Sequence, residues 1–331
     1  MGNLPVTLAT RDYDYVVPLA LGDVTVEGID LTVIREFGAL PRVLQDPAVH
    51  GGEASFSRHV QRLAAGDRSF VAVPAFLMRE FRHRNFFVHR DAGLRAMGDL
   101  KGTRIGMDAW PNSGNTWSRA LLRADGVGLD AVRWIVGPIN PGDAGPRPDA
   151  LPGGVEAAPA GRSLQEMLLA RELDVLIAAW PPAGFGERGS PIVRLYPDFR
   201  AVERDDYRKT KLYPAHHIVV VRRRLAEEHP WAVRSLYAAL LRAREHAART
   251  RRLLHESSAW LLADLEEEAE VLGPGFEPYG VRGNRAMIAA FCEEQWAQGL
   301  VPRRLDPSEI FADFERLAAL EPGGRPAGGA T

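Results

Sequence analysis

The stretch at 74–89 sets cationic side chains among aromatic and aliphatic residues typical of a β-strand. Arg79, Arg82, His83 and Arg84 all lie in it, with a single glutamate as their only acidic neighbour. Arginine presents a planar fork of donors that matches a carboxylate, and histidine titrates near neutral pH. The pattern indicates a pocket that holds an acid and moves a proton. A solvated basic edge strand is the alternative interpretation.

A second candidate site lies in the sequence EASFS at 53–57. In a strand, side chains alternate between two faces, so Glu53, Ser55 and Ser57 are predicted to share one face. We expect a helix to begin near Ser57, where its free backbone amides form a cradle for an anion. Plain capping of the helix by Ser57 is the alternative, but it leaves Glu53 and Ser55 unexplained.

The segment WPNSGNTWSR at 110–119 predicts another helix start. Ser113, Asn115 and Thr116 can cap this helix, and the glycine between them permits close approach of the backbone. The Gly-Lys-Ser/Thr ending of a phosphate-binding loop is missing. Two such helix starts suit a ligand with two acidic groups. Trp117 is a candidate for stacking on an aromatic ring, with packing in the core as the alternative.

Histidines elsewhere in the chain give a weaker signal. His216 and His217 are adjacent in a predicted strand and must point to opposite faces, so at most one reaches a ligand from that strand. Neither a His-x-x-x-His pattern nor a carboxylate pair accompanies them, and we therefore expect no metal. Asp14 follows the first predicted strand, where either a ligand contact or an ordinary turn is expected.

Composition narrows the class of protein. The 331 residues carry a net charge of −2, which argues against a nucleic-acid partner because no basic excess faces the phosphates. The single cysteine, Cys292, excludes internal disulfides. The chain shows neither a leader-like start nor an apolar run of about 20 residues. We expect a cytoplasmic protein without a membrane partner.

Strand-like and helix-like segments alternate up to a long predicted strand at 215–221, after which the pattern is helical. This order predicts an α/β protein of two lobes, between which the chain crosses twice. The first lobe is expected to comprise 1–88 and 219–321, and the second 89–218. Residues 322–331 are predicted to form a flexible tail. A ligand is expected in the cleft between the lobes.

Motifs along nearly the whole chain resemble those of the 4,5-dihydroxyphthalate decarboxylase family. The matching segments, in chain order, are Asp12-Tyr13-Asp14, Val26-Glu27-Gly28-Ile29-Asp30-Leu31, Glu53-x-Ser55-x-Ser57, Phe81-Arg82-His83, Asp99-Leu-Lys-Gly-Thr-Arg-Ile-Gly106, Trp117-x-Arg119, Pro181-Pro182, Leu195-Tyr-Pro-Asp198, Tyr213-Pro214 with His217, His229-Pro-Trp231, Ser235-Leu-Tyr237, Pro278-Tyr-Gly280 and Gly299-Leu-x-Pro-Arg303.

The resemblance implies a type II periplasmic-binding-protein-like fold with a C-terminal helical segment. It also implies a small aromatic carboxylate as substrate, with Tyr213 among the contact residues, and assembly into a homo-oligomer. One position departs from the family pattern: Trp180 stands where an arginine is expected before Pro181-Pro182. If that arginine binds a carboxylate, this chain is expected to take a monocarboxylate or a larger aromatic substrate.

The hypothesis that follows is decarboxylation of a hydroxylated aromatic acid without a cofactor. Arg82, with Arg79 or Arg119, is expected to bind the carboxylate. The general acid is expected to be His83 or His217, with the other histidine orienting the phenolate.

Glu53 is expected to keep one of these histidines charged by raising its pKa. The helix starts at Ser57 and Ser113 are expected to hold the second anionic group of the substrate.

Two other functions fit the same fold. One is reversible binding of a carboxylate, and the other is a different lyase reaction similar to that of chorismate dehydratase. Fold alone does not separate them, because function depends on the site.

Overall fold

A computed structural model describes residues 2–36, 45–144, 151–273 and 276–320. The chain divides into two compact units. The first unit comprises Met1–Arg79 and Ala215–Thr331, and the second comprises Glu80–Pro214. Each unit contains one β-sheet together with helices, which confirms the predicted α/β class.

The elements of the first unit, in chain order, are β1 (Leu4–Arg11), α1 (Val17–Leu21), β2 (Ile29–Glu36), β3 (Gly51–Ser55), α2 (Phe56–Ala64), β4 (Phe70–Arg79) and, after the second unit, β11 (Ala215–Arg222), α6 (Arg223–Glu228), α7 (Pro230–Leu253), α8 (Leu261–Leu272), α9 (Arg285–Ala297) and α10 (Ala312–Ala318). Its sheet has five strands in the order β2-β1-β3-β11-β4. β1 is parallel to β2 and β3, whereas β11 is antiparallel to β3 and β4.

Aromatic side chains fill the core of the first unit beside the start of α2. The rings of Phe56 and Phe291 stack with their centroids 4.5 Å apart, and those of Phe76 and Phe311 meet edge to face at 5.7 Å. All four side chains are buried. The C-terminal helices therefore hold α2, and with it the end of β3, in a fixed position by apolar burial.

β4 lies at one edge of this sheet, and its sequence suits that place. Pro74 has no backbone N–H to donate and is tolerated in edge strands. Gly280 covers the same strand, donating its backbone N–H to the Pro74 carbonyl at 2.8 Å. Arg79, at the end of β4, donates to the carbonyl of Pro278 at 3.0 Å and to the side chain of Asn284.

The elements of the second unit are β5 (Phe86–His89), β6 (Arg104–Met107), α3 (Ser113–Ala124), β7 (Arg133–Val136), β8 (Val155–Ala157), α4 (Leu164–Leu169), β9 (Val175–Ile177), β10 (Ile192–Arg194) and α5 (Phe199–Thr210). The sheet has six strands in the order β10-β5-β9-β6-β7-β8. β6 is parallel to β7 and β9, and β5 is antiparallel to β9 and β10. Phe87, Leu164, Leu168 and Leu176 form the centre of its core.

The boundaries between the units fall earlier in the chain than predicted. The boundaries were predicted after residues 88 and 218, whereas in the structure they lie after Arg79 and Pro214. The reason is strand pairing: β5 hydrogen-bonds to β9 and β10 of the second unit, and β11 pairs with β3 and β4 of the first. The predicted tail at 322–331 lies outside the described residues.

Gly52 is a position that only glycine fits. Its φ of 142° lies in a region that residues with a Cβ rarely adopt, and a Cβ there would collide with the carbonyl oxygen of Ala9 in β1. We expect Gly52→Ala to lower the free energy of unfolding by about 2–5 kcal/mol, from backbone strain and overpacking together. Urea denaturation of the whole chain measures this. Gly98→Ala is the matched control, because a Cβ at Gly98 meets no atom within 4 Å, and an equal loss in both variants would contradict the explanation.

Candidate functional site

Three neighbouring strands of the first unit bring polar side chains together. Arg11 ends β1, Glu53 lies in β3, and His217 lies in β11. Because β3 runs between the other two strands, Glu53 receives contacts from both sides. His217 stands opposite Ser55 in the strand register, which makes it the diagonal neighbour of Glu53 on one face of the sheet. We call Arg11, Tyr13, Glu53 and His217 the Glu53 cluster.

Glu53 is fully buried, with 0% of its side chain exposed, and accepts four hydrogen bonds. Arg11 donates its backbone N–H at 2.7 Å and its Nε at 3.0 Å. The hydroxyl of Tyr13 donates at 2.8 Å, and Nδ1 of His217 lies 2.5 Å from Oε1. A carboxylate removed from water in this way needs such a complete set of partners.

These contacts keep Glu53 ionised. Burial alone would raise the pKa of Glu53, but the hydrogen bond from His217, together with the charge and backbone hydrogen bond of Arg11, outweighs it, and the pKa is about 2. Glu53 is therefore a fixed negative charge at any pH near neutrality.

The same contacts fix the tautomer of His217. An ionised carboxylate only accepts hydrogen bonds, so Nδ1 of His217 carries the proton that faces Glu53, and Nε2 becomes the basic nitrogen. A guanidinium nitrogen of Arg11 lies 3.0 Å from Nδ1. His217 keeps 16% of its side chain exposed, whereas Glu53 keeps none.

Glu53 raises the pKa of His217, as expected, but the expectation that this keeps the ring charged is wrong. Burial lowers the pKa of His217 below its usual value, and the hydrogen bond and charge of Glu53 do not restore it. Arg11 acts in the same direction as burial, because its positive charge offsets that of Glu53 at the ring. His217 is therefore neutral near pH 7 and is a base rather than a standing acid.

Tyrosines complete the wall of the Glu53 cluster. Arg11 also donates to the Tyr13 hydroxyl at 2.5 Å and to Sδ of Met78 at 2.9 Å. The Tyr13 ring stacks on that of Tyr15 at 5.1 Å, and Tyr15 donates to the carbonyl of Leu77. Burial, and next the charge of Glu53, raise the pKa of Tyr13, so its phenol stays protonated.

The predicted anion cradle at Ser57 is wrong in position. α2 begins at Phe56, and Ser55 caps it by accepting from the backbone N–H of Arg58 at 3.4 Å. Ser57 lies inside the helix, is buried, and accepts hydrogen bonds from Gln61 and Gln295, each at 2.8 Å. Its hydroxyl thus joins α2 to α9, and the strand alternation on which the prediction rested stops at Ser55.

In the second unit, Arg82 is held by its neighbours. Only 2% of its side chain is exposed; it donates to Glu80 at 3.0 Å and to the hydroxyl of Ser118 at 3.1 Å. Gly114 packs against the guanidinium so closely that a Cβ there would come within 3.1 Å of it. Burial lowers the pKa of Arg82, with Glu80 opposing. The contact with a substrate carboxylate stays a prediction, and the structure adds Glu80 as a partner.

The start of α3 differs from the prediction in its cap. Asn112 is the capping residue, accepting from the backbone N–H of Asn115 at 2.7 Å. The Asn115 side chain donates to Asp108 at 2.8 Å, and Thr116 donates to the Asn112 carbonyl at 2.9 Å. Ser113 is buried in the first turn. The predicted capping residues therefore make internal contacts of the helix start.

Two further predicted contacts belong to the core of the second unit. Trp117 is buried. Arg119 is also buried; it donates to the carbonyl of Trp110 at 2.9 Å, and its guanidinium lies 4.0 Å from the centroid of that indole. Of the two predictions for Trp117, the structure therefore supports packing in the core.

Trp180 has the opposite character, since 70% of it is exposed. It follows the end of β9, at the same edge of the sheet where β6 ends and β5 begins. Ligands of α/β sheets commonly bind at the carboxyl ends of parallel strands. Asn85, just before β5, connects to the segment after β9: its side chain donates to the carbonyls of Ala178 and Ala179 at 3.0 and 3.2 Å.

His83 lies next to this edge but lacks a polar partner for one nitrogen. Its Nδ1 is buried without a hydrogen bond in the described structure. Burial, with the nearby charge of Arg84, lowers the pKa of His83 to about 4. His83 is thus uncharged near pH 7, and no carboxylate of the described ranges contacts it as Glu53 contacts His217.

The remaining predicted residues have ordinary surroundings. Asp14 is exposed and forms an ion pair with Arg251 at 2.6 Å. Tyr213 stacks on Phe81 with centroids 4.7 Å apart. Arg79, which binds Pro278 and Asn284, belongs to the first unit, whereas Arg82 and Arg119 belong to the second.

Arg11 is the residue that the sequence analysis missed. Its signal was present, because Arg11 is a cation at the end of a strand and directly precedes the motif Asp12-Tyr13-Asp14. What the sequence lacked was the pairing of β1 with β3, which brings Arg11 to Glu53 across 42 residues of chain.

Within the described ranges, no three His, Cys, Asp or Glu side chains are grouped to hold a metal ion. In the same part of the chain, no helix has both the length and the apolar character needed to cross a membrane.

Comparison with solved structures supports the predicted fold. The chain superposes on the periplasmic aliphatic sulphonate-binding protein SsuA from Escherichia coli with a TM-score of 0.56, at 15% identity, covering 92% of this chain and 91% of that one. The alkanesulfonate-binding protein SsuA from Xanthomonas axonopodis pv. citri gives a TM-score of 0.50 at 16% identity, covering 92% and 96%. These similarities confirm the periplasmic-binding-protein-like fold.

Sequence comparison is more specific. No protein-family model matches the chain. A 4,5-dihydroxyphthalate decarboxylase from Comamonas testosteroni is 33% identical over 331 aligned residues, which cover 94% of this chain and 97% of the relative. A protein of the same name from Pseudomonas putida is 31% identical over 218 residues, covering 63% and 83%. The chain therefore belongs to the 4,5-dihydroxyphthalate decarboxylase family and is an enzyme of the carbon–carbon lyase class.

Proposed function

We propose that this protein decarboxylates a hydroxylated aromatic acid of the 4,5-dihydroxyphthalate type, and that the Glu53–His217 pair transfers the proton. The observation that carries the proposal is the 2.5 Å contact between Nδ1 of His217 and the buried Glu53 carboxylate. It leaves Nε2 as a base with one defined orientation. The names of the two relatives support the substrate class.

The reaction begins at the phenol of the substrate. Nε2 of His217 takes the proton of a ring hydroxyl, and the phenolate pushes electron density to the ring carbon that bears the carboxylate. Burial, together with the charge of Arg11, destabilises the imidazolium more than Glu53 stabilises it, so it gives up its proton more readily than a free imidazolium in the next step.

The proton then moves to the ring carbon, which gives a dienone. The bond to the carboxylate breaks, carbon dioxide leaves, and the bonding electrons restore the aromatic phenolate. That phenolate takes one proton from solvent. The net change is loss of carbon dioxide and gain of one proton, and the electron sink is the substrate's own ring, so the proposal requires no cofactor.

The second unit supplies the candidate for recognition of the ring. Trp180 is exposed at the end of β9, and Asn85 ties its loop to the segment that carries Arg82 and Glu80. An exposed indole offers a flat surface on which an aromatic acid stacks. Binding in a cleft between two lobes stays a prediction from the sequence.

The assay that tests the proposal uses a panel of hydroxylated benzoates and phthalates in D2O, with and without a chelator. We expect carbon dioxide release, one deuterium at the carbon that lost the carboxylate, and equal rates in both samples. Water loss without carbon dioxide would indicate the dehydratase-like alternative, and unchanged ligand that raises the melting temperature would indicate simple binding.

His217→Gln is expected to lower kcat by about 100- to 10,000-fold, because the side chain amide cannot accept and return the proton. His229→Gln is the control, since His229 precedes α7 outside the Glu53 cluster. Steady-state kinetics and the melting temperature of each variant are the measurements. A His217→Gln enzyme that keeps full activity would remove His217 from the proposed mechanism.

The pH profile separates the roles of Glu53 and Arg11. Because His217 must be neutral to act as a base, kcat/KM should fall as the pH drops through its lowered pKa, below about 6.5. Glu53→Gln removes the groups that raise the pKa of His217, so the acid limb should move to lower pH. Arg11→Gln removes a charge that lowers it, so the limb should move to higher pH.

The control for this pair is Glu156→Gln, which breaks an exposed ion pair with Arg133 in the second unit. Its acid limb should coincide with that of the wild type. Shifts of Glu53→Gln and Arg11→Gln in the same direction would show that the limb reports another group.

Trp180→Ala is expected to raise KM for the aromatic acid about 2- to 10-fold through loss of stacking, with little change in kcat. Trp180→Phe should restore KM. Trp296→Ala is the matched control, because Trp296 is also exposed but lies in α9 of the first unit. If Trp180→Ala changes kcat and leaves KM unaltered, Trp180 does not bind the ring in the ground state.

A further inference from the structure

α8 is a helix that buries none of its side chains against the rest of the described structure. Its twelve residues, Leu261–Leu272, include no buried side chain, although Leu261, Leu262, Leu265 and Leu272 are apolar. Among the described residues, its main contacts are with α7 and with the 3₁₀ turn at Leu254–Ser257. Isolated helices of this length are marginal in water, and most helices in proteins are stabilised by packing of an apolar face.

The exposed apolar residues continue into the end of α7. Trp260 is 77% exposed and Leu253 68%, and Leu254 and Leu262 are exposed as well. From residue 248 to residue 273 no side chain is buried. We call residues 249–273 the α7–α8 surface. A contiguous group of large exposed apolar side chains marks a surface that binds another molecule.

The charges of the α7–α8 surface are separated by sign. α8 carries five carboxylates and no Lys or Arg; the acidic residues are Asp264, Glu266, Glu267, Glu268 and Glu270. The last two turns of α7 carry Arg249 and Arg252, besides Arg251, which is paired with Asp14 of the same chain. One face of this chain thus presents an acidic helix directly after a basic helix end, with the apolar residues at the junction.

We propose that the α7–α8 surface is the interface with a second copy of this chain. Two copies related by a twofold axis present the same surface to each other, so α8 of each copy meets the basic end of α7 of the other. The apolar junction around Trp260 then lies near the axis and packs against its own equivalent.

Charge complementarity selects this partner over an unrelated one. A partner with only acidic or only basic surface satisfies one half of the α7–α8 surface and repels the other half, whereas a second copy satisfies both.

The first test is the mass of the full chain in solution, measured by sedimentation velocity and light scattering. We expect at least twice the 36.4 kDa of one chain, and at most half of the wild-type mass for the double variant Leu253→Asp, Trp260→Asp. Trp296→Asp, at an exposed tryptophan of α9, should leave the mass unchanged. A wild-type monomer, or an assembly that the double variant leaves intact, overturns the proposal.

A charge exchange tests the pairing itself. Arg249→Glu with Arg252→Glu makes the end of α7 acidic like α8, and Glu266→Lys, Glu268→Lys and Glu270→Lys together make α8 basic like the end of α7. Each variant alone should be monomeric or at least tenfold weaker in self-association. An equimolar mixture should form a mixed pair, because both of its contacts join opposite charges. Failure of the mixture to associate, with both variants folded by circular dichroism, contradicts the arrangement.

Discussion

The buried carboxylate of Glu53 is the constraint on which the first unit depends. A carboxylate without access to water is costly unless every acceptor position is occupied. Here Arg11 of β1 and His217 of β11 provide hydrogen bonds to Glu53 from either side of β3. A single carboxylate therefore links three neighbouring strands. The backbone N–H of Arg11 is one of the donors, which means that even the course of the main chain is adapted to this group. Gly52, next to Glu53, permits the close approach of β1 that brings Arg11 within reach.

The second unit uses a related solution with the charges reversed. Its buried group is the cation Arg82, and the carboxylate beside it, Glu80, is partly accessible. Truncating one partner of such a pair leaves the other charge buried and alone, which destabilises a protein far more than loss of the contact itself. Glu53 and Arg82 therefore contribute to the stability of the fold as well as to any contact with the substrate. A variant of either residue is expected to lose stability together with activity.

Local pattern was sufficient for much of this architecture. The α/β class and the helical C-terminal segment followed from periodicity, and the pairing of Glu53 and His217 was among the predicted groups because both motifs were assigned to one site. The details that failed are those that depend on where an element begins. Ser57 was predicted to begin α2, but the helix begins at Phe56 and Ser55 caps it. Asn112 caps α3 in place of the residues that follow it.

The pKa of His217 could not be predicted for a different reason. A motif indicates which residues are near each other, but the sign of a pKa shift depends on the balance between burial and every charge in contact. At His217 burial outweighs Glu53, and Arg11, whose charge adds to the effect of burial, reaches the ring only through strand pairings that are distant in sequence. Trp117 and Arg119 illustrate the same point for the core, since residue type alone does not separate an indole or a guanidinium that packs internally from one that meets a ligand.

The edge strand β4, which contains Pro74, has a consequence for the protein during folding. An open strand edge is a template for aggregation, because its free N–H and C=O groups can pair with a strand of another molecule. In β4 the proline removes one donor, Gly280 occupies the carbonyl of that same residue, and Arg79 fastens the covering segment through Pro278 and Asn284. Before the segment around Gly280 has docked, Pro74 still interrupts the row of backbone N–H donors along β4, so a strand of another molecule cannot form a complete set of hydrogen bonds with this edge. Amyloid-like stacking through that edge is thereby disfavoured at the stage of folding when the chain is most exposed to it.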